Sequence, residues 1–366
     1  MTTAAEPHAT EEPSVEIHKP KRSWRGWLKE YAVIAIGILI ALPASPTGAW
    51  AWGGTGHRII GELAAKNFPK EIPDFLKTPL AIRQIGLLAQ EPDISKGAGQ
   101  PHDADLDPGH FLDVSDDGTI LGGPRLDALP ATRRDFDTAL RAAGAEQYKA
   151  GFLPYNIVGG YQQLVKDFAL LRMDVAAAKF AGKFNHTKAM RERFADARAV
   201  RQLLTLRDLG VWAHYIGDTS QPMHASIHFN GWGEGANPNG FIVTPGLHAK
   251  FESDFVNTSI RETDVAAKLR PLRDCGCAIA DLTRDYLQAS WELVVPTYQL
   301  EKDGAFDAAT PQAKAFTEER LAEAAAMLRD MVAMAWRESG AATLGNRNKM
   351  TVADIEAGKV DPALLE

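Results

Sequence analysis

One short stretch of this 366-residue chain combines metal-ligand side chains with the end of a helix, and it constrains the fold more than any other. It runs from His214 to His224 and follows a segment rich in Ala, Leu, Arg and Gln, which are good helix formers. That composition predicts a helix beginning near Ala199. His214 and Asp218 are four residues apart, so their side chains leave one helix face about one turn apart. Pro222 then ends the helix.

A second histidine–carboxylate pair, His248 and Glu252, has the same spacing and follows His224 after a glycine-rich loop. A single pair of this kind is most often a capped or salt-bridged histidine. Two pairs and a further histidine favour a metal centre, because imidazole and carboxylate are ligands for zinc and its neighbours. The loop over residues 229–240 has no helix or strand period and is predicted to lie at the surface. Trp232 in this loop either stacks on a substrate or packs the loop down.

Three residues on other segments are further candidate ligands. His57 lies at the start of a segment whose apolar residues recur at helical spacing. Asp93 and His110 lie on irregular backbone rich in Gly, Pro and Asp. Taken alone, each has an ordinary explanation as a helix cap or a solvated turn residue. His102 lies in the same loop and competes with His110 as a ligand.

The chain from Trp52 onwards predicts an all-α fold. Residues 155–172 form a strongly amphipathic segment, and residues 273–295 also predict a helix. Thr310 and Pro311 are typical of a helix start, and the helix that follows is predicted to run to about Glu338. There is no internal repeat and no persuasive run of strands. We therefore expect one large helical domain over residues 52–340 and a polar C-terminal tail over residues 341–366.

Residues 1–51 have the pattern of a targeting segment. Five basic residues precede an apolar core from Ala32 to Leu42, and Ala49-Trp50-Ala51 has the A-x-A form of a cleavage site. The apolar core is short for a membrane span, which needs about 20 residues. The sequence predicts a signal peptide cleaved after Ala51 and a secreted or periplasmic protein. An uncleaved signal that anchors the chain to a membrane is the alternative.

Charge and cysteine content limit the classes of function. The formal net charge is −7, and no basic block marks an electrostatic nucleic-acid binder. An acidic protein that acts on phosphates needs positive charge from metal ions. The two cysteines, Cys275 and Cys277, are separated by one glycine and do not form a disulfide framework. We interpret them as a structural pair, which the sequence leaves as either thiols or a disulfide, and not as metal ligands.

The order of the candidate ligands resembles the superfamily of zinc-dependent phospholipase C and the single-strand-specific nucleases of the P-one/S-one type. The resemblance rests on Trp52-Gly-x-x-Gly-His57, on His-x3-Asp followed by Gln-Pro-Met-His, and on His-x3-Glu. It implies a helical enzyme with three zinc ions and with tryptophan as the first residue of the mature protein. The implied ligands form three groups: Asp93, His110, His214 and Asp218; His224, His248 and Glu252; and Trp52, through its amine and carbonyl, with His57 and a bridging Asp218.

The resemblance implies a zinc-dependent phosphodiesterase, a hydrolase acting on ester bonds. The main hypothesis is a nuclease that cuts single-stranded DNA or RNA with a metal-activated water, because the spacing from Trp52 to His57 is nuclease-like. The alternative is a zinc-dependent phospholipase C acting on phospholipid head groups, which the sequence around His224 and Glu252 resembles. A non-catalytic zinc-binding protein is a third hypothesis.

Individual roles follow from the same resemblance. Asp93 would orient or deprotonate the water, and Lys96 would contact the phosphate. Phe111 would stack on a base while Asp113 bonds to its edge, and Trp232 is a further candidate substrate contact. The expected partner is single-stranded nucleic acid or phospholipid, with no nucleotide cofactor, and the protein is expected to be a monomer.

Overall fold

A computed structural model of the chain describes residues 52–233, 236–346 and 348–365. The segment interpreted as a signal peptide, with its cleavage point after Ala51, lies outside the described residues. Within them the all-α prediction is confirmed. The α-helices are α1 (Gly53–Lys66), α2 (Pro79–Leu88), α3 (Glu91–Ile94), α4 (His102–Leu106), α5 (Arg133–Ala142), α6 (Gln147–Ala150), α7 (Leu153–Lys179), α8 (Lys188–Thr219), α9 (Leu247–Ala249), α10 (Val256–Ser259), α11 (Glu262–Ala267), α12 (Ile279–Trp291), α13 (Val294–Lys302), α14 (Pro311–Ser339) and α15 (Val352–Glu356).

Short elements complete the described part of the chain. A π-helix covers Lys250–Phe255, and two-residue strands β1 (Thr343–Leu344) and β2 (Met350–Thr351) pair in an antiparallel manner. The 3₁₀ turns are Asp74–Lys77, Asp107–His110, Leu126–Ala128, Pro222–Ala225 and Pro362–Leu365. Among the helices of these ranges, none combines the length and the apolar character that crossing a membrane requires.

The long helices α7 and α8 pack side by side and form the scaffold of the core. The indole Nε1 of Trp212 on α8 donates to the carbonyl of Ile157 on α7 at 3.0 Å. A Cβ at Gly160 would lie 2.1 Å from the Trp212 ring, so glycine allows this close approach. Helix α8 starts before the predicted Ala199 because the hydroxyl of Thr187 caps the N–H of Met190 at 3.2 Å.

Helix α14 closes the core against α1 and α7. Its predicted start is confirmed, since the Thr310 hydroxyl accepts a hydrogen bond from the N–H of Ala313 at 3.2 Å. Its buried face is rich in Ala, Leu and Met. Near its end Trp336 meets Phe168 of α7 edge-on, with ring centroids 5.3 Å apart. This contact fixes the C-terminal end of α14 on the scaffold.

Two segments differ from the sequence-based expectation. The helix expected over residues 273–295 begins only at Ile279, because Gly276 has a φ of 59° and the preceding residues form an ion-paired loop. Residues 341–365, expected as a polar tail, form β1, β2 and α15. They bury Leu344, Val352 and Ile355 in a small cluster with residues of α7.

Candidate metal centre

The last turns of α8 carry His214 and Asp218 into the interior, where both side chains are fully buried. Two glycines on this helix let neighbouring elements approach. A Cβ at Gly210 would lie 2.4 Å from Cβ of Leu88 on α2, and one at Gly217 would lie 2.9 Å from Nδ1 of His57. These small residues therefore allow α1 and α2 to pack directly on the part of α8 that holds candidate ligands.

The carboxylate of Asp218 lies between several imidazoles. Its Oδ2 is 3.3 Å from both His110 Nδ1 and His214 Nε2, and its Oδ1 is 3.4 Å from His57 Nε2. Its two oxygens thus face different histidines, as the bridging role implied by the resemblance requires.

The first group of candidate ligands is Asp93, His110 and His214. His214 Nδ1 lies 2.8 Å from the carbonyl of Ala89 and donates to it, so Nε2 of the neutral ring carries a lone pair. This Nε2 is 2.9 Å from His110 Nδ1 and 3.8 Å from Asp93 Oδ1. A backbone carbonyl therefore orients the ring, as is usual for a metal-binding histidine.

The second group is His224, His248 and Glu252. The Nδ1 atoms of the two histidines lie 2.7 Å and 2.8 Å from the carbonyls of His110 and Phe229, to which they donate. In neutral rings the two Nε2 lone pairs then face each other across 3.1 Å. Glu252 Oε2 lies 2.8 Å from His248 Nε2 and 3.7 Å from His224 Nε2. Such a cluster of acceptors needs a cation or a proton among them.

The third group is His57, His214 and Asp218, so it shares His214 with the first group. The main-chain nitrogen of Trp52 is 3.2 Å from Glu252 Oε2. Its indole Nε1 donates to the carbonyl of Gly217 at 2.8 Å, and the ring is fully buried. The start of the described chain is therefore held beside Glu252 of the second group and beside Gly217 near the end of α8.

Burial and neighbouring charges shift the pKa values of the candidate ligands in opposite directions. Burial alone would raise the pKa of Asp218, but the charges of His214 and His224 hold it well below its usual value. Burial lowers the pKa of His110 to about 4. Although burial opposes it, Asp218 and Glu252 raise the pKa of His224 to about 9, so a proton occupies this position when no cation does. Cation binding then releases that proton.

Unpartnered atoms show that the donor set fits a cation. Both ring nitrogens of His57, both oxygens of Asp218 and Oε1 of Glu252 are buried without a hydrogen-bond partner. Buried polar groups are normally satisfied, and leaving them unpaired costs roughly 1–3 kcal/mol each. Imidazole nitrogens with carboxylate oxygens are the ligand set of zinc. The donor set therefore fits zinc in its chemistry, and His214 is common to two of the three groups.

Lys96 sits at the rim of the first group, in a cleft of about 660 Å³. Its Nζ lies 3.0 Å from Asp93 Oδ1 and 3.3 Å from Asp107 Oδ1. Burial opposes ionisation, but these carboxylates raise the pKa of Lys96 above its usual value, so the ammonium is charged. Tyr148 and Lys149 line the same cleft. The structure thus pairs Lys96, which lines the cleft, with the buried Asp93, and these are the two predicted catalytic residues.

Phe111 and Asp113 follow His110 on extended backbone and are both half-buried. The Phe111 carbonyl accepts from the N–H of Leu153 at 3.1 Å, and the N–H of Asp113 donates to the carbonyl of Ala150 at 2.8 Å. Burial raises the pKa of Asp113 to about 7. The end of α6 and the start of α7 therefore hold the two predicted substrate contacts just after a candidate ligand, and their roles stay predictions.

Trp232 and His102 are not placed at the centre. Trp232 is only 5% exposed and stacks on His228, with ring centroids 3.8 Å apart. It also meets Tyr298 edge-on, and this packing favours its interpretation as a residue that holds the loop down. His102 is exposed and pairs with Asp103 at 3.1 Å, while His110 occupies the buried position.

Two residues of the centre were missed by the sequence argument. Gln221 donates to Glu252 Oε2 at 3.1 Å and accepts from the N–H of Met223 at 2.7 Å. Tyr215 packs edge-on against His110 and His214. Both lie in the stretch from His214 to His224, but neither is a metal-ligand type. Their role is to orient ligands, which only the three-dimensional arrangement reveals.

Comparisons with known proteins add one finding. No family model and no protein of curated function matches this chain. A crystal structure of the alpha-toxin of Clostridium perfringens, isolated from an avian strain, is similar over 82% of this chain and 71% of that chain, with 15% identity and a TM-score of 0.36.

Proposed function

We propose that this chain is a zinc-dependent phosphodiester hydrolase. The observation that carries the proposal is Asp218, whose two buried oxygens face ligands of two different groups. A carboxylate shared by neighbouring cations suits the hydrolysis of phosphate esters, in which the attacking and the leaving oxygen are both stabilised by metal charge. The acidic chain has no basic block to bind phosphate, which fits a need for bound cations.

The chain's own residues would supply orientation and proton handling. Bound zinc would contribute Lewis-acid charge and activate water at neutral pH. Asp93, a buried member of the first group, would hold the attacking water by accepting its proton. The Lys96 ammonium, 3.0 Å from that carboxylate, would attract the phosphate from the open cleft. The carbonyls of Ala89, His110 and Phe229 keep the ligand rings in the tautomers that expose their lone pairs.

Single-stranded nucleic acid is one candidate substrate, and Phe111 is the observation that favours it. Phe111 follows His110 in the chain and is half-buried, and its carbonyl accepts a hydrogen bond from the N–H of Leu153 at the start of α7. A base stacked on such a ring contributes roughly 1–3 kcal/mol. The Asp113 carboxyl, on the same extended segment, could bond to the edge of that base.

Phospholipid is the second candidate, and an apolar rim beside His248 is the observation that favours it. Phe229, whose carbonyl orients His248, is 50% exposed. Ile242 and Val243 are 41% and 64% exposed, and the Ile242 carbonyl accepts from the N–H of Trp232 in the same loop. Exposed apolar residues grouped beside a site suit contact with lipid chains.

A paired assay tests the function and separates the two substrates. The zinc-loaded protein starting at Trp52 is given single-stranded DNA or RNA in one arm and phosphatidylcholine vesicles in the other, each with and without a chelator. Chelator-sensitive cleavage in either arm supports the proposal and identifies the substrate class. Full zinc loading without cleavage of any phosphodiester would leave the non-catalytic zinc-binding hypothesis standing.

Export of the protein belongs to the same proposal. We propose that cleavage after Ala51 frees the Trp52 amine and releases a secreted or periplasmic protein. The position of the Trp52 nitrogen, 3.2 Å from Glu252 Oε2, supports this. Cellular fractionation with N-terminal sequencing tests it, since a chain retained in the membrane with an uncleaved leader would favour the anchored alternative.

A further inference from the structure

The two cysteines of the chain form a disulfide on the loop over residues 268–278, between α11 and α12. Cys275 is exposed and Cys277 is half-buried. Gly276 between them has a φ of 59°, which glycine adopts without strain and which turns the chain sharply. A Cβ built at Gly276 would meet no atom within 4 Å, so the outer side of the bridge is open.

This bridge contributes little to the stability of the fold. A disulfide stabilises a protein mainly by closing a loop in the unfolded chain, and the effect grows with loop length. The Cys275–Cys277 bridge encloses one residue, so it restricts the unfolded chain about as little as a disulfide can. A stabilising role therefore does not account for it.

The loop is also held in place by contacts that do not involve sulfur. Arg270 forms ion pairs with Glu323 and Asp330 of α14. The N–H of Arg273 donates to Asp330 Oδ2 at 3.3 Å. Asp274, next to the bridge, pairs with Arg337 at 3.0 Å. These anchors, all on the residues just before the turn, keep that part of the loop on α14 whether the sulfurs are bonded or not.

We propose that Cys275–Cys277 is a thiol–disulfide exchange site that reacts with thiolates from outside the chain. Exposed disulfides are the labile and catalytic ones, whereas structural disulfides resist reduction. The N–H of Cys277 lies 3.3 Å from Sγ of Cys275 and donates to it, which keeps the Cys275 sulfur beside the Cys277 backbone. The second thiol thus stays next to the first after the bond opens and is placed to resolve a mixed disulfide.

The exchange has two steps. An external thiolate attacks the exposed Sγ of Cys275, the S–S bond breaks, and Cys277 leaves as a thiolate. A second external thiolate then attacks the external sulfur of the mixed disulfide and releases the Cys275 thiolate. Two external thiols are thereby oxidised to one disulfide while the bridge is reduced by two electrons. Glutathione disulfide or another oxidised thiol restores the bridge by the reverse reaction.

A native-state exchange assay tests the proposal on the zinc-loaded full chain. The folded protein is incubated with reduced glutathione in one arm and with a reduced dithiol peptide in the other, and free thiols are counted by alkylation and mass spectrometry. We expect both cysteines to be alkylated without denaturant, and the faster arm identifies the source of the thiolate. A bridge that is reduced only after unfolding in guanidinium would overturn the proposal.

Two variants locate the reaction. Cys277→Ser leaves Cys275 without its resolving partner, so glutathione disulfide should convert it to a stable mixed disulfide at least about tenfold faster than it converts Cys275→Ser. Equal rates of mixed-disulfide formation in the two variants would contradict the assignment of Cys275 as the attacked sulfur and Cys277 as the resolving thiol. The double variant, Cys275→Ser with Cys277→Ser, should keep its thermal midpoint within about 2 °C and its hydrolytic activity. A large loss of stability would instead make the bridge structural.

Discussion

The main-chain nitrogen of Trp52 lies 3.2 Å from Oε2 of Glu252, although the two residues are at opposite ends of the ligand order. As part of a peptide bond this nitrogen is only a hydrogen-bond donor and has no lone pair to offer a cation. As a free amine it would be a ligand. If Trp52 is a ligand, as the resemblance implies, the chain must be cleaved before it, and the nearest candidate ligand to its nitrogen is Glu252 of the second group.

This relationship predicts a sharp effect of one added residue. Protein starting at Trp52 should bind one more zinc ion per chain than protein that keeps Ala51. In the longer protein the Trp52 nitrogen is part of a peptide bond and has no lone pair for the ion. Zinc content by elemental analysis and chelator-sensitive hydrolysis measure the difference. Equal zinc content and equal rates in the two proteins would show that the Trp52 nitrogen is not a ligand.

Asp218→Asn should be more damaging than Glu252→Asp. The first change removes the charge that faces His57, His110 and His214, whereas the second keeps a carboxylate and shortens its reach. We expect a loss of roughly 100-fold or more in kcat/KM for Asp218→Asn and about tenfold for Glu252→Asp, with zinc content falling in parallel. Small and equal losses would contradict the ligand assignment.

Gln221→Ala should weaken the second group without removing a ligand. Gln221 Nε2 donates to Glu252 Oε2 at 3.1 Å, and such supporting bonds are worth about 10–100-fold in metal affinity or activity. Zinc affinity measured by competition with a chelator gives the change. Gln299→Ala is the matched control, since Gln299 is exposed and bonds only to the surface residue Asp303. Identical affinities in both variants would rule out an orienting role for Gln221.

Gly217→Ala should disturb the third group through sterics alone. The added methyl would lie 2.9 Å from His57 Nδ1, too close for a buried ring that has no room to move. We expect lower zinc content and a lower thermal midpoint. Gly159→Ala is the control, because a Cβ there meets nothing within 4 Å and alanine favours the helix by about 0.5–1 kcal/mol. A Gly217→Ala protein with unchanged midpoint and full zinc content would contradict this packing.

Replacing the buried Asp174 should stabilise the fold, and the gain should depend on pH. Burial raises its pKa from 3.8 to about 6, and its Oδ1 has no hydrogen-bond partner. Between about pH 4 and 6 the folded chain binds more protons than the unfolded chain, so the free energy of unfolding falls as pH rises through that window. Above it, the full destabilisation from ionising the Asp174 carboxyl is present. Asp174→Asn should raise the free energy of unfolding at pH 7.5 by roughly 1–3 kcal/mol and change it little at pH 4.

Denaturant unfolding at the two pH values measures this effect. Asp196→Asn serves as the control because Asp196 is exposed on the neighbouring helix α8. A gain of equal size at pH 4 and pH 7.5 would show that the ionised carboxylate of Asp174 is not the cause.

The sequence predicted the parts of the centre that depend on local spacing. Each histidine–carboxylate pair has its two members four residues apart on helical backbone, and the structure buries each pair together. The pairs are His214 with Asp218 and His248 with Glu252. Asp93, His110 and His57 could be assigned only through the resemblance, because their separation along the chain carries no spatial signal. Their ligand roles remain predictions, although all three lie among the groups that could hold a cation.

Other features depend on long-range packing and gave little local signal. The sequence does not distinguish an exposed from a buried Trp232, because it lies in a polar glycine-rich loop. Only its stacking on His228 shows that it is buried. Residues 341–365 show no helical or strand period, but four apolar side chains spaced along them, Leu344, Met350, Val352 and Ile355, pack in one cluster with residues of α7. The loop before α12 lacks a helix because ion pairs to α14 override a helical pattern of apolar residues.

The carbonyl of His110 accepts the Nδ1 proton of His224, while the His110 side chain belongs to the first group. One residue thus fixes a ring in one group through its backbone and contributes a ligand to another. A cation that orders His110 also orders His224, so the cost of arranging the second group falls once the first is filled. Loading should therefore be cooperative, with a zinc titration steeper than that of independent sites.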